Sequence, residues 1–155
     1  MHVKIKKLQP SAKTPTYAHE GDACFDLYAA TVEDADPTGA TVAPGRPVVC
    51  GTGLSFDVPA GNVMLVFSRS GHGFNQGIRL VNCVGVIDSG YLGEVKVKLT
   101  QDFDERLTGS PPHQFRPGDR IAQALILPVE AVTFEVVECL RESQRNANGF
   151  GSTGV

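Results

Sequence analysis

Short apolar stretches with a period of two recur along the chain. The segment Val95–Leu99 alternates apolar residues with lysines, and Val3–Lys6 and Leu54–Val58 alternate apolar with polar residues. Alternation with this period is typical of strands that bury one face. The continuous apolar runs Val63–Phe67 and Ile121–Leu127 instead predict strands that are buried on both faces.

Glycine and proline separate these stretches. The chain has 17 glycines and 10 prolines, and pairs such as Pro44–Gly45 and Pro117–Gly118 are typical of turns. Phe134–Val137 predicts a last strand, and Ser68–Gln76 predicts a short helix. Many short strands at regular spacing predict an all-β fold, a jelly-roll-like β-sandwich or barrel with at most one short helix.

Two segments predict irregular chain. Asp34–Gly45 is polar and turn-rich, which predicts a surface loop. The segment from Glu142 to Val155 has too little apolar surface to order itself, which predicts a flexible C-terminal arm. Because 155 residues fit one domain, we expect a β domain over residues 1–141 and the arm over residues 142–155.

The charge balance restricts the partners that this chain can bind. It has 14 Lys and Arg against 17 Asp and Glu, a net charge of -3, which argues against general nucleic-acid binding. A few local arginines can still hold an anionic small molecule. No apolar run approaches the ~20 residues of a membrane span, and the charged N-terminus does not resemble a signal peptide. We therefore expect a cytoplasmic protein without a membrane partner, in a bacterial cell or a phage-infected host.

The cysteines and histidines lack the spacing of metal ligands. They are Cys24, Cys50, Cys83 and Cys139, and His2, His19, His72 and His113. We expect the cysteines to be small buried apolar residues in a reducing compartment. The histidines are interpreted as surface or turn residues.

A carboxylate, Asp88, follows an apolar strand in the segment Val84–Glu94. Alone, Asp88–Gly90 is typical of an Asx turn. A functional interpretation is also open, because an ionised carboxylate at a strand end can accept a proton from a bound water. Asp26, between two apolar residues, is either solvent-facing or part of a charge cluster.

Three other segments have both a structural and a functional interpretation. Phe67–Gly71 is either a turn with a solvated arginine or a loop whose Ser, Arg and Gly hold a phosphate. Gln123 lies in an apolar run, so its amide either pairs with nearby backbone or faces a ligand. In the arm, Arg145 and Phe150 either belong to a disordered end or form a lid, with the arginine on a phosphate and the ring on a base.

The order and spacing of five segments together resemble the trimeric dUTP pyrophosphatases (dUTPases). Those segments are Ala23–Leu27, Ser68–Gly71, Asn82–Glu94, Gly118–Gln123 and Arg145–Gly154. The resemblance implies a jelly-roll subunit, a homotrimer with active sites shared between subunits, and Mg²⁺ bound to the triphosphate. It implies hydrolysis of dUTP to dUMP and pyrophosphate, which keeps uracil out of DNA and supplies dUMP for dTMP synthesis.

The resemblance also implies a role for each matching residue near the base and the sugar. Asn82, the backbone near Val86 and Ile87, and the Lys96 backbone would read the uracil edge. Tyr91 would pack under the deoxyribose and leave no room for a 2′-hydroxyl.

The same resemblance implies the roles of the residues near the phosphates. Arg69, Ser70 and Gly71 of a neighbouring subunit would hold the phosphates. Gln123 would hold the α-phosphate, and Asp26 would orient Mg²⁺-bound waters.

Asp88, Gln123 and Arg145 are the catalytic residues that the resemblance implies, with Asp88 activating the water that attacks the α-phosphorus. Arg145 would reach the γ-phosphate. The arm would close over the site, with Phe150 over the uracil. The phosphates would also be lined by Gly151, Ser152 and Thr153.

Two alternatives remain open at the level of sequence. A dCTP deaminase of the same fold would need a glutamate poised for deamination, and it would differ around the sugar-packing tyrosine; Tyr91 and the Phe-Gly-Ser-Thr arm fit dUTP better. A nucleotide-dependent binding or regulatory protein could use the same fold as a sensor.

Overall fold

A computed structural model describes residues 1–102, 112–144 and 146–147 of the chain. This part contains twelve strands and one short helix, so the predicted all-β class with at most one helix is confirmed. The elements are β1 (Lys4–Lys7), β2 (Phe25–Tyr28), β3 (Thr31–Val32), β4 (Ala40–Val42), β5 (Val48–Gly51), β6 (Leu54–Asp57), β7 (Asn62–Phe67), α1 (Ser70–Gln76), β8 (Ile78–Leu80), β9 (Val84–Asp88), β10 (Lys96–Gln101), β11 (His113–Phe115) and β12 (Arg120–Pro128).

Two four-stranded antiparallel sheets form the body of the domain. One has the strand order β2-β12-β7-β9 and the other has the order β3-β5-β10-β8. Two smaller pairs, β1-β6 and β11-β4, complete the described part of the fold. The inward faces of both four-stranded sheets contribute to one apolar cluster, which includes Leu27 and Met64 from the first sheet and Cys50 and Leu99 from the second.

The alternating segment Val95–Leu99 behaves as predicted. Its three apolar residues are buried, whereas Lys96 and Lys98 are exposed. Burying a side chain of this kind stabilises the fold by ~1.5–3 kcal/mol. The core therefore fixes which face of β10 points outwards, and with it the position of Lys96.

The two continuous apolar runs are less buried than predicted. Met64 and Val66 of β7 lie in the core, but Leu65 between them is half-buried, and Leu125 and Ile126 of β12 are half-buried too. In a pleated strand successive side chains point to opposite faces, and only one face of this sheet packs on the core.

Two other predictions about local structure are wrong. Phe134–Val137 forms no strand, and Phe134 is 92% exposed and Val136 100% exposed. Alternating apolar residues can bury one face of a strand, but the backbone N–H and C=O groups also need partners on a neighbouring strand. No described strand pairs with this segment. Asp34–Gly45 is not wholly a surface loop, because β4 lies within it and pairs with β11.

All four cysteines are free, and only Cys50 is fully buried. Cys24 is half-buried, while Cys83 and Cys139 are exposed, so the prediction of buried cysteines is correct for one position in four. The described part of the chain contains no helix that is long and apolar enough to span a membrane.

Candidate functional site

One row of the first sheet brings three of the predicted site segments together. Gln123 in β12 is paired with Asp26 on β2 and with Phe67 on β7. Phe67 directly precedes Ser68–Gly71, so this loop leaves the sheet beside the aspartate and the glutamine. The antiparallel register thus assembles residues that are distant in sequence.

The Asp26 carboxylate belongs to a charge cluster, one of the two interpretations of the sequence. Asp26 is 8% exposed, and Arg69 donates from Nε to one carboxylate oxygen at 2.9 Å. Arg120 donates from Nη1 to the other oxygen at 3.3 Å. Because a buried carboxylate requires such partners, the pair of arginines fixes Asp26, and Asp26 in turn orients Arg69.

Sequence reasoning missed Arg120. Its only signal was its place three residues before Gln123 in the segment Gly118–Gln123, and the side chain faces Asp26 across neighbouring strands.

Gln123 satisfies its amide locally and also faces a cavity. Its Nε2 donates to the Ser68 carbonyl oxygen at 3.0 Å, while the Ser68 hydroxyl oxygen accepts from the Leu80 amide at 2.9 Å. The cavity, of about 290 Å³, is lined by Ala18, Asp22, Ala23, Cys24, Asp26, Arg69 and Gln123. The two interpretations of Gln123 are therefore compatible, since the hydrogen bond to the loop places its side chain at the cavity wall.

The helix α1 begins directly after Arg69. Ser70 and Gly71 in its first turn are exposed, and a Cβ built on Gly71 would meet open space. The backbone at this position is accessible to a ligand, although packing within the chain does not require a glycine there.

His72 and His113 are half-buried in a cluster of rings rather than freely exposed or in turns, which corrects the sequence interpretation. Their ring centroids lie 5.0 Å apart, and both rings pack against Phe115, which is fully buried. Burial, the neighbouring His113 and the Arg69 charge lower the pKa of His72 to about 4. Burial also lowers the pKa of His113. Removal from water and nearby positive charge both disfavour the imidazolium, so the two rings pack in their neutral form.

A second cavity lies at the turn that follows β9. Its volume is about 390 Å³, and it is lined by Val86, Ile87, Asp88, Tyr91, Glu94, Val95 and Lys96. Asp88 ends β9, its side chain is exposed, and its carbonyl oxygen accepts from the Tyr91 amide at 3.2 Å. The backbone of Asp88 therefore forms part of a turn, while its carboxylate remains exposed. Asn82 stands before the other end of β9 and does not line this cavity.

The position of the Tyr91 ring depends on its neighbours in the turn. The Tyr91 hydroxyl donates to the Glu94 carbonyl oxygen at 3.0 Å. A Cβ at Gly93 would lie 2.6 Å from the Tyr91 hydroxyl oxygen, so a glycine is required for this approach.

Polar groups of β6 and of the turn between β5 and β6 hold the same segment through hydrogen bonds. Ser55 donates from its hydroxyl to the Leu92 carbonyl oxygen at 2.7 Å, and Thr52 donates to the Val95 carbonyl oxygen at 2.7 Å. The Glu94 carboxylate accepts from the Gly53 amide at 2.8 Å. These supporting residues carry no sequence signal, because a serine or threonine in an alternating strand is usually solvent-facing.

In one chain the two cavities are separate, and no residue lines both. Asp88 is paired with Val63, whereas Phe67, four residues along β7, lies in the row of Gln123 and Asp26. Four residues correspond to roughly 13 Å along the strand, and the three strand spacings from β2 to β9 correspond to roughly 14 Å across the sheet. Asp88 and Asp26 therefore lie about 20 Å apart in one chain.

Only the start of the predicted arm belongs to the described residues. Ser143 and Asn146 exchange two hydrogen bonds, each of 2.8 Å, and no helix or strand forms in the described part of the arm. Arg145 and the arm residues Phe150, Gly151, Ser152 and Thr153 lie outside the described residues, so their roles stay predictions.

Comparisons with known proteins point to a single family. The dUTPase family model matches residues 10–154. The chain is 40% identical to a deoxyuridine 5'-triphosphate nucleotidohydrolase of Corynebacterium diphtheriae, over 99% of this chain and 93% of the relative. It is 43% identical to the protein of that name from Nocardia farcinica, over 98% of this chain and 85% of the relative.

A solved structure supports the same assignment. The Staphylococcus bacteriophage 80alpha dUTPase G164S mutant with dUpNHpp superposes with a TM-score of 0.81 at 25% identity, covering 99% of each chain. With a family model that spans nearly the whole sequence and relatives at this level of identity, the chain belongs to the dUTPase family.

Proposed function

We propose that this protein hydrolyses dUTP to dUMP and pyrophosphate, which keeps uracil out of DNA and supplies dUMP for dTMP synthesis. The observation that carries the proposal is the exposed Asp88 carboxylate, which shares a cavity with Tyr91 at the end of β9. The names of the relatives and the dUpNHpp held by the phage 80alpha dUTPase support this choice of substrate.

Asp88 acts as the general base. Its carboxylate accepts a proton from a water, and the oxygen of that water forms a bond to the α-phosphorus. The bond from the α-phosphorus to the oxygen that bridges to the β-phosphate breaks, and pyrophosphate leaves with that oxygen. The reaction needs positioning and charge neutralisation more than a covalent intermediate, which suits a site built from one carboxylate and several arginines.

The cavity beside Asp88 selects the nucleoside. The backbone of Val86, Ile87 and Lys96 reads the uracil edge in this cavity. Asn82 is assigned to the same edge, although it lies before the other end of β9 and does not line the cavity in one chain. The Tyr91 ring, held by its hydrogen bond to Glu94, packs under the deoxyribose and excludes a 2′-hydroxyl. A buried polar group left without its partner costs ~1–3 kcal/mol, so hydrogen-bonding groups in this cavity discriminate strongly between bases.

The cavity beside Asp26 and the exposed start of α1 together bind the phosphates. Arg69, Ser70 and Gly71 hold the phosphate oxygens, and Gln123 holds the α-phosphate. The hydrogen bonds from Gln123 to Ser68 and from Arg69 to Asp26 place these donors before substrate arrives. Such preorganisation lowers the cost of reorganising the site during the reaction.

The residues of this cavity fit a hydrated Mg²⁺ better than a directly coordinated one. The described residues contain no group of three or more His, Cys, Asp or Glu side chains that could hold a metal ion. Both oxygens of Asp26 already accept from arginines, but a carboxylate oxygen has a second lone pair that can accept from a metal-bound water. Asp26 would therefore orient these waters, while bound Mg²⁺ would neutralise charge on the triphosphate.

A complete site requires more than one chain. The Asp88 cavity and the Asp26 cavity are separate in one subunit, with about 20 Å between the two aspartates. We therefore propose a homotrimer in which the Asp88 cavity of one subunit faces the phosphate-binding loop of its neighbour. The arm, residues 142–155, closes over this site, with Arg145 at the γ-phosphate and Phe150 over the uracil. The phosphates are also contacted by Gly151, Ser152 and Thr153.

The first experiment measures pyrophosphate release with Mg²⁺ from dUTP, dCTP, dTTP and UTP. We expect release from dUTP alone, and its absence would refute the proposed activity. Asp88→Asn should bind dUTP with near-normal affinity but lose most turnover, because the uracil and phosphate contacts remain. Turnover near that of the wild type would refute the role of Asp88 as the base.

A mixing experiment tests the shared site. Asp88→Asn removes the base, and Arg69→Ala removes a phosphate contact, so each homotrimer should be almost inactive. Subunits of the two variants that are refolded together should regain activity, because some sites then combine an intact Asp88 with an intact Arg69 from a neighbour. No recovery in mixed trimers would contradict sharing between subunits.

A further inference from the structure

The helix α1 lies at the surface and has few half-buried side chains. It contains no buried residue, and only His72 and Gln76 among its seven residues are half-buried. Near its end, the Gln76 carbonyl oxygen accepts from Gln101 Nε2 at 3.0 Å. In the first turn of α1, the His72 ring makes the contact with the rest of the domain. It lies three residues after Arg69.

The His72 ring packs into a cluster of three rings. Its centroid lies 5.0 Å from that of His113, and 5.3 Å from that of Phe115 at a near-perpendicular angle of 86°. His113 packs on Phe115 at 4.5 Å, and Phe115 is fully buried in the core. This cluster ties the first turn of α1 to β11 and the core. It therefore fixes the start of the helix, where Ser70 and Gly71 lie.

The surroundings of the two imidazoles favour their neutral form over the protonated form. Nδ1 of His72 is buried and finds no hydrogen-bond partner among the described residues. The charged groups that act on His72 come from several elements: Arg69 before α1, Arg120 of β12, Asp119 in the turn before β12, and His113 of β11. Protonation would add a positive charge near Arg69, Arg120 and a second imidazole, and among the described residues only Asp119 contributes an opposing charge.

Protons can reach the rings from solvent. Both imidazoles line an open cavity of about 690 Å³, together with Arg69, Pro112, Gln114, Arg116, Asp119 and Arg120. The cluster is therefore packed closely enough to hold α1 and accessible enough to respond to acid.

We propose that His72 is a positioning residue for phosphate binding: its neutral ring, packed on His113 and Phe115, holds the start of α1 and thereby Arg69, Ser70 and Gly71. Protonation of the histidine pair releases this segment, so nucleotide affinity falls in acid independently of the catalytic base. This proposal rests on the proposed function, since it assigns the phosphates to the segment that α1 fixes.

Hydrogen exchange of the nucleotide-free protein tests the anchor without reference to any activity. The amide of Gly73 donates to the Arg69 carbonyl oxygen at 3.0 Å and reports the first turn of α1. After correction for intrinsic rates, this turn should lose protection between pH 7 and about pH 4.5 in the wild type. It should keep its protection in His72→Phe, whose ring packs but does not titrate. Equal loss of protection in both proteins would overturn the proposal.

Nucleotide binding provides the second test. In an Asp88→Asn background, which removes titration of the base, the Kd for dUTP should rise on acidification at least ~5-fold more with His72 than with His72→Phe, a typical size for coupling between two sites. Protonation of the triphosphate affects both proteins equally and cancels in the ratio. Identical pH dependence would overturn the positioning role, whereas failure of Asp88→Asn to bind dUTP at pH 7 would instead refute the proposed function and with it any role in positioning.

Two controls keep the result interpretable. His113→Phe removes the second imidazole from the β11 side but keeps His72, so it should weaken the acid response without abolishing it; this variant tests the ring pair if His72→Phe does not fold, and an acid response equal to that of the wild type would contradict the role of the pair. His2→Phe changes an exposed histidine of the N-terminus and should leave the acid response of the wild type unchanged. An acid response that His2→Phe abolishes would overturn the assignment to the ring cluster.

Discussion

The ion pairs of Asp26 predict a loss of stability in Asp26→Asn, and its magnitude can be worked out from the structure. Asp26→Asn keeps the shape of the side chain but removes its charge. Both carboxylate oxygens accept from arginines in the wild type, at 2.9 Å from Arg69 and 3.3 Å from Arg120. The substitution therefore weakens two charge-assisted hydrogen bonds at a site that is 8% exposed.

The expected loss of stability is intermediate. A hydrogen bond to a charged group contributes ~1.5–3 kcal/mol. The Arg120 side chain is 48% exposed, so solvent screening reduces its share to below ~1 kcal/mol. Together the two bonds give about 2–4 kcal/mol, which for a chain of this size lowers the Tm by roughly 5–15 °C.

Thermal unfolding without nucleotide and Mg²⁺ isolates this contribution from any role in metal binding. Asp102→Asn is a matched control, because Asp102 pairs with Arg79 at a similar distance of 2.9 Å but both side chains are well exposed. Because solvent screens this exposed pair, Asp102→Asn should lower the Tm much less than Asp26→Asn. If Asp26→Asn melts at the same temperature as Asp102→Asn, the argument that burial makes the Asp26 cluster strong is refuted.

The same variant should also raise the KM for dUTP more than it lowers kcat, because Arg69 loses the carboxylate that orients it. Titrating Mg²⁺ in the assay then separates the two proposed roles of Asp26. A defect that high Mg²⁺ fully restores would contradict the orienting role toward Arg69.

Three further predictions concern the Asp88 cavity and the histidine cluster. Ser55→Ala leaves the Leu92 carbonyl oxygen without its donor, and urea unfolding should show a loss of ~1 kcal/mol; an unchanged midpoint would contradict this. Tyr91→Ala should allow turnover of UTP, whereas Tyr91→Phe, which loses only the hydrogen bond to Glu94, should still exclude it; equal selectivity of the two variants would argue against the ring. Since the pKa of His72 is lowered to about 4 in the folded state, the unfolded state takes up its proton first as pH falls below ~6.5. Stability of the wild type should therefore decline from about pH 6.5 towards pH 4, and more steeply than that of His72→Phe in pH-dependent urea unfolding.

Local patterns predicted the elements of this fold where the pattern reflects burial. The period of two in Val95–Leu99 arises because one face of β10 packs on the core, and the structure has that face buried. The short helix over Ser70–Gln76 also lies within its predicted segment, although none of its residues is buried. The strand predicted over Phe134–Val137 is not formed, because no described strand pairs with this segment.

Contacts across the fold were less predictable. Asp26 and Gln123 were recognisable as candidates because each is a polar residue among apolar neighbours, but Arg120 looked like an ordinary charged residue at the start of a strand. His2 and His19 are exposed as predicted, but His72 and His113 were misinterpreted because 40 residues lie between them in the sequence, and the fold brings their rings together. Such pairs leave no local period in the sequence.

The arrangement of a complete site is even harder to predict from the sequence. It depends on how the surfaces of the folded chain meet, and not only on where the strands and the helix lie. The chain contains the proposed base, Asp88, and the proposed phosphate-binding loop beside Asp26, but its own sheet register keeps the two aspartates about 20 Å apart. Large apolar residues remain exposed near Asp88: Val86 is 60% exposed and Leu92 is 63% exposed. A single subunit would leave this surface in water, where contiguous apolar area typically marks an interface. Val86 and Leu92 therefore supply apolar surface that a neighbouring subunit could bury, which supports the proposed trimer, and in that trimer activity would depend on assembly.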